Sequence, residues 1–328
     1  MFGSFRFILA SLVILSHTTA NVIIDFNFTK FYFNVGRASV FAFYILAGIV
    51  TTKLFINIFQ YNLKAFLIDR FLRIYPMAWF WQLIGLSILY FIGVNLYDLD
   101  FNKILFHLSL IPLNYSDFLN NAVLKDRVIW DNFLFPPYFS LGLEFQAYLI
   151  ITLCLFFKKE KILSFLAYYS FFNYIVFSIL NIKNTQFQLN LTYSFIISTI
   201  WVFYLGYLIQ MNYIKELKIF YFALIILLLI EILFNIYLGS QPYTTIGLLI
   251  IIPLILKIKN HKNKKLKIDT FLGSMSFIIY CNHYLFIFMF DALNVKYNFF
   301  IVFFFAFVSG LFGYFAIEKP LNKKRIKN

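Results

Sequence analysis

Phe5-Arg6-Phe7-Ile8-Leu9-Ala10-Ser11-Leu12-Val13-Ile14-Leu15-Ser16-His17-Thr18-Thr19-Ala20-Asn21-Val22-Ile23-Ile24 is an apolar run interrupted by a cation and an imidazole. A run of about 20 mostly apolar residues is the length of one membrane-crossing helix. Ionisable residues inside such a helix are costly, and by default they mark function. Arg6 and His17 are separated by about three helical turns, so they share one face roughly 16 Å apart along the axis. Arg6 falls at a water interface and His17 near mid-bilayer, a pattern suited to a long anionic ligand threaded inward.

The rest of the chain repeats the apolar theme. Of 328 residues, 62% are hydrophobic and only 13% are charged, against about 25% charged in soluble domains. This composition describes a polytopic membrane protein and excludes a globular enzyme with one anchor. The net charge of +14 is read as basic loops that fix topology, not as a nucleic-acid surface. Cys154 and Cys281 lie in apolar runs and offer neither a disulfide framework nor a metal-ligand spacing, so no metal is expected. The first run lacks a small-residue cleavage site and more apolar segments follow, which makes it an uncleaved first span.

Apolar runs predict ten helices near 5–24, 38–58, 74–94, 138–157, 162–180, 191–210, 219–238, 244–257, 269–290 and 298–317. The eighth is short and holds Pro253, so a tilt, a break or a re-entrant course is expected there. A long polar stretch, 95–137, separates spans three and four, and its apolar patch Ile104–Leu113 is expected on the surface. With the N-terminus in the cytoplasm, the 28 lysines and arginines divide about three to one in favour of the inner side. The predicted fold is all-α: a polytopic transmembrane helical bundle of about ten helices, both termini cytoplasmic. Residues 1–328 form a single membrane domain with no appended soluble domain.

Depth along the spans brings three groups to one level. His17 lies roughly 18 Å from the cytoplasmic side, His283 roughly 20 Å, and Glu144, entering from outside, roughly 20 Å by difference across a core of about 30 Å. A single membrane histidine is often a packing hydrogen bonder; three titratable groups at one level beside a basic entry point to a site. Glu231, mid-span in the seventh segment, is a fourth carboxylate with no neighbouring pattern. In the loop after span two, Arg70 and Arg73 share a helix face, and paired guanidinium groups suit phosphate oxygens. Glu318, at the end of span ten, is placed to pair with Arg70 or Arg73.

These segments together resemble the acyltransferase 3 family of integral-membrane O-acyltransferases that decorate bacterial surface glycans. The Arg6-to-His17 helix is similar to the family's opening Arg-ten-residues-His span. Phe43-Tyr44-Ile45-Leu46-Ala47-Gly48 resembles its F-x-L-S-G signature, and Asp69-Arg70-Phe71-Leu72-Arg73-Ile74-Tyr75-Pro76 its R-x-x-R-I-Y-P segment. Ser140-Leu141-Gly142-Leu143-Glu144 through Tyr148 resembles W-S-L-x-x-E-x-x-x-Y. Gly273 through Ser276, Tyr280 and His283 resemble G-x-x-S-x-x-x-Y-x-x-H. Glu318-Lys319-Pro320 resembles the terminal E-K-P. The motifs run in family order over nearly the whole chain. Phe139 stands for the usual Trp, and Ala47 for the usual Ser, which removes a hydroxyl from that position.

The resemblance implies a cytoplasmic acyl-CoA co-substrate, acetyl-CoA by default, and a surface or lipid-linked glycan acceptor beyond the bacterial cytoplasmic (inner) membrane. Arg70 and Arg73 would hold the CoA phosphates, with Arg6 near the pyrophosphate. His17 would act as general base, Glu144 would orient its imidazole, and His283 would hydrogen-bond the acceptor or the developing oxyanion. Ser140, Tyr280 and Glu318 are carried as supporting residues, and the 95–137 stretch as a lid or docking surface. A two-step route through an acylated His17 stays open beside direct transfer. The alternative is a transporter or flippase for a lipid-linked glycan or acyl donor. It predicts inverted repeats, which the sequence does not display.

Overall fold

A computed structural model of the chain describes residues 2–18, 23–26, 29–32, 35–93, 101–118, 135–180, 192–233, 241–260 and 267–325. A helix stands at each of the ten apolar runs. They are α1 (Gly3–Thr18), α2 (Val35–Lys53), α3 (Leu63–Phe91), α5 (Phe139–Phe156), α6 (Glu160–Leu180), α7 (Ile196–Met211), α8 (Ile214–Leu233), α9 (Gln241–Asn260), α10 (Lys267–Ala292) and α11 (Phe299–Gly313). Two short ones join them: α4 (Phe101–Ser109) in the polar stretch and α12 (Lys319–Arg325) after α11.

Among the described residues, five helical stretches are long and apolar enough to cross a membrane: Val35–Ile58, Leu63–Phe91, Pro136–Phe156, Lys267–Ala292 and Phe299–Arg325. The protein is therefore helical, with several membrane-crossing helices. The other stretches fall short for visible reasons. α1 and α7 have 16 residues each, below the roughly 20 that span a bilayer untilted. α8 carries two lysines and two glutamates within the helix itself.

Four local features differ from the sequence reading. A short two-stranded antiparallel hairpin, β1 (Ile23–Phe26) with β2 (Thr29–Tyr32), follows α1 in register Ile23↔Tyr32, a local addition to a helical fold. α3 begins at Leu63, and Asp69, Arg70, Arg73 and Pro76 lie inside it, not in a loop. Ion pairs compensate the charged residues there, so the helix can extend through them. α9 runs unbroken through Pro253. The Ile104–Leu113 patch is split: α4 buries none of its residues, whereas Leu110 and Leu113 beyond it are buried.

The chain divides into two compact units. One comprises Thr19–Leu63 and Gln146–Lys265. Its centre is the pairing of α2 with α7, which depends on two glycines. A Cβ on Gly48 would strike the Phe203 backbone, and one on Gly206 the Ile45 backbone. Their absence lets the two helix backbones meet, the small-residue packing common between membrane helices. Tyr44 and Phe203 stack beside this crossing at 4.5 Å. Gly48 of the F-x-L-S-G-like motif is thus a packing residue.

The other unit comprises Phe2–Thr18, Lys64–Phe145 and Leu266–Asn328. Here α1 lies along α10. Asp269 accepts from the Ser4 backbone N–H (2.8 Å) and from Ser4 Oγ (3.0 Å), satisfying donors that a helix N-terminus leaves open. Gly273 lets the backbone of Gly3 approach at the same end. On its other side α10 meets α11, where Asn282 donates to the Ala306 carbonyl at 2.9 Å and to Ser309 Oγ at 3.0 Å. α3 holds α4 by its unpaired C-terminal carbonyls. Tyr75, Trp79 and Gln82, one stripe of α3, donate to the carbonyls of Ser109 (2.6 Å), Leu108 (2.8 Å) and His107 (3.2 Å).

Candidate functional site

Every site residue named from the sequence falls in this second unit: Arg6, His17, Arg70, Arg73, Ser140, Glu144, Tyr280, His283 and Glu318. The parallel clasp of α1 on α10 brings His17 against His283. Their rings stack with centroids 5.7 Å apart and planes 24° apart. Tyr284 closes the group, edge-on to His17 at 4.8 Å, with its Oη 3.1 Å from His17 Nδ1.

The two imidazoles have different surroundings. His283 is fully buried. Its Nδ1 lies 3.0 Å from the Ile279 carbonyl, which can only accept, so that nitrogen carries the proton. In the neutral ring the lone pair then sits on Nε2, which has no hydrogen-bond partner among the described residues. His17 is exposed, and its hydrogen bond among the described residues is made through Nδ1 to Tyr284. Its Nε2 is left for an incoming group.

The sequence reading gave Glu144 the task of orienting His17. The atom beside His17 Nδ1 is Tyr284 Oη instead. Glu144 is half-buried on α5 and within electrostatic reach of Cys281, two residues before His283. It faces the same helix without a hydrogen bond to His17 among the described residues. Tyr284 was legible in principle. Tyr280, His283 and Tyr284 follow the i, i+3, i+4 spacing that gathers side chains on one helix side.

Ser140 and Tyr280 brace the approach of α5 to α10. Their hydroxyls lie 2.7 Å apart, and they reach the Pro137 carbonyl at 2.9 and 3.1 Å respectively. Tyr138 reaches the Cys281 carbonyl at 3.2 Å. Gly142 admits the Leu110–Ile111 backbone, against which any Cβ would press. Of the expected 95–137 lid, residues 95–100 and 119–134 lie outside the described residues.

The arginines form a second cluster in the same unit. Arg70 is buried and ion-paired to Asp69, with Nε 2.9 Å from Oδ2. Arg325 of α12 takes the other side of that carboxylate, Nε to Oδ1 at 2.9 Å. Arg73 pairs with Glu318 and lies over the Phe277 ring at 4.9 Å. A π-helical turn over Tyr314–Glu318 ends the apolar helix there, and Glu318 within it is buried; such turns recur at functional sites. Asn322 also donates to Glu318, at 3.1 Å. Among the described residues, three guanidinium groups thus face two carboxylates, an excess of one positive charge. Sequence reasoning treated Arg325 as a loop charge, because nothing in α12 alone shows that it returns to Asp69. Arg6 stands on α1 on the same face as His17, three turns earlier.

These arrangements agree with a comparison over the whole chain. A family model described as an acyltransferase domain, acyltransferase 3, matches residues 4–319. The chain belongs to that family. It is a multi-pass membrane protein with an acyltransferase domain. No curated protein and no solved structure matches it.

Proposed function

We propose that the protein is a membrane O-acyltransferase that moves an acyl group, acetyl first among candidates, from cytoplasmic acyl-CoA to a hydroxyl of an extracytoplasmic or lipid-linked glycan. The reading places ten spans in a bacterial cytoplasmic membrane, with both termini inside. The observation that carries it is the stacked His17–His283 pair, held by Tyr284 in the same unit as the arginine cluster.

Transfer needs a base at the acceptor hydroxyl. Tyr284, by accepting from Nδ1–H of His17, leaves the Nε2 lone pair for that task. The hydroxyl oxygen attacks the thioester carbonyl carbon as its proton passes to His17. The resulting tetrahedral oxyanion collapses, the C–S bond breaks, and the imidazolium returns the proton to the leaving thiolate. His283 presents its Nε2 lone pair beside His17, where it accepts a hydrogen bond from the acceptor hydroxyl. The donor's phosphates belong with Arg70, Arg73 and Arg325, whose excess positive charge an anion neutralises. Arg6, three turns before His17 on α1, is assigned to the pyrophosphate.

Nothing in the family match or in the arrangement of charges favours the transporter. The test is heat stability of the purified protein with acetyl-CoA, CoA or pantetheine. Protection by acetyl-CoA and CoA that weakens in Arg70→Ala supports the reading. No protection by any acyl-CoA overturns it. Mass analysis of surface glycans from a deletion strain then identifies the acyl group and its sugar.

A further inference from the structure

The last span ends in charges that the proposed chemistry does not use. Of the five candidate spans among the described residues, Phe299–Arg325 is the most apolar and the least buried. Phe300, Phe304, Val308, Phe312 and Phe315 are exposed along it, and an exposed apolar face on a spanning helix meets lipid. Asn298 caps its start by accepting from the Ile301 N–H at 3.1 Å. From that cap to Lys319 the helix rises about 31 Å, against a hydrocarbon core of about 30 Å. Lys319 therefore stands where hydrocarbon gives way to headgroups. Its Nζ lies 5.1 Å from the centroid of the Phe315 ring, one turn back, with the stem along apolar surface and the charge at its edge. Lys323 and Lys324 follow on the next turn, both exposed.

Another side of α12 faces the protein. Arg325 donates to Asp69 at 2.9 Å and Asn322 to Glu318 at 3.1 Å. α12 buries none of its residues, so polar bonds of this kind fix it in place. Among the described residues no carboxylate pairs with Lys319, Lys323 or Lys324. Lys319 and Lys323 are four positions apart, a like-charge spacing that costs helix stability unless an anion lies between them.

We propose that Lys319, Lys323 and Lys324 form a binding site for the phosphate headgroup of an anionic phospholipid. Charge and level decide the class. Three ammonium groups without carboxylates call for an anion, and their place at the end of a lipid-facing span sets them at the height of the phospholipid phosphates. The acyl chains of that lipid lie along Phe312 and Phe315. By contrast, the exposed trio Lys158, Lys159 and Lys161 encloses Glu160, so its charge is partly answered in place. The site does not depend on the acyl-transfer reading.

The test is the unfolding midpoint of the full chain in nanodiscs of phosphatidylcholine, with phosphatidylglycerol added in steps. The wild type is expected to show a saturable rise. Lys319→Gln alone is expected to weaken the half-saturating response about 5-fold, and glutamine at all three positions about 100-fold, the worth of lysines near a charged surface. Arginine at the three positions keeps the response. Lys158→Gln with Lys159→Gln and Lys161→Gln removes the same charge elsewhere and is expected to leave the rise in place. An equal loss in that control would mean diffuse surface charge and overturn the proposal. So would no rise at all, a rise that survives glutamine at all three positions, or a rise that inorganic phosphate reproduces through the same lysines. A fall in phosphatidylcholine alone as large as in the mixture would assign the lysines to the helix dipole and overturn it too.

Discussion

His17 and His283 stack at 5.7 Å because α1 and α10 start together and run in parallel. The clasp is Ser4 on Asp269. From there the rise of 1.5 Å per residue carries His17 about 20 Å and His283 about 21 Å along neighbouring axes. The equal depth follows from that anchor.

The clasp is therefore a positioning device. Asp269→Ala is expected to cost about 1 kcal/mol of stability, the usual worth of a lost helix cap, and to lower the transfer rate more than acetyl-CoA binding. Thermal unfolding and a comparison of kcat with KM check this. A rise in KM alone would contradict it.

Tyr284→Phe keeps the ring contacts with His17 and removes one hydroxyl. One hydrogen bond of about 1 kcal/mol predicts a loss in kcat of about 5-fold. Melting should barely change. A rate equal to the wild type would assign the orientation of His17 to another group.

Glu318 is buried with Arg73, and removing one partner of such a pair costs about 3–5 kcal/mol. Glu318→Gln alone is expected to destabilise strongly, and Glu318→Gln with Arg73→Gln to recover part of the loss. A double-mutant cycle of unfolding midpoints reads the coupling. Additive losses would mean that the two groups do not act as a pair.

Gly48→Ala places a methyl group against the Phe203 backbone, where a flexible side chain cannot yield. Overpacking of this kind costs about 1–3 kcal/mol, visible as a lower unfolding midpoint. An unchanged midpoint would mean that α2 and α7 do not cross at these glycines.

Much of this architecture is legible from apolar periodicity, which placed helices at the right runs and His17 level with His283. Contacts between distant segments are not. Arg325 meets Asp69 across 256 positions, and Tyr284 meets His17 across 267. At 69–73 the sequence placed the pair of arginines on a helix face and Glu318 beside them, but put the helix start too late: it begins at Leu63. Pro253 misled: it removes one backbone donor, yet packing keeps α9 continuous. Glu144 was assigned by its level and by the motif that carries it, and neither names Tyr284 as the group beside His17 Nδ1.

The most direct test of the account is acetyl transfer in membranes containing His17→Ala, read by mass analysis of the acceptor glycan with acetyl-CoA protection measured on the same protein. The account predicts protection near the wild-type level and transfer reduced about 10²–10⁴-fold, the share a positioned base contributes. Wild-type transfer by a folded His17→Ala protein would contradict it.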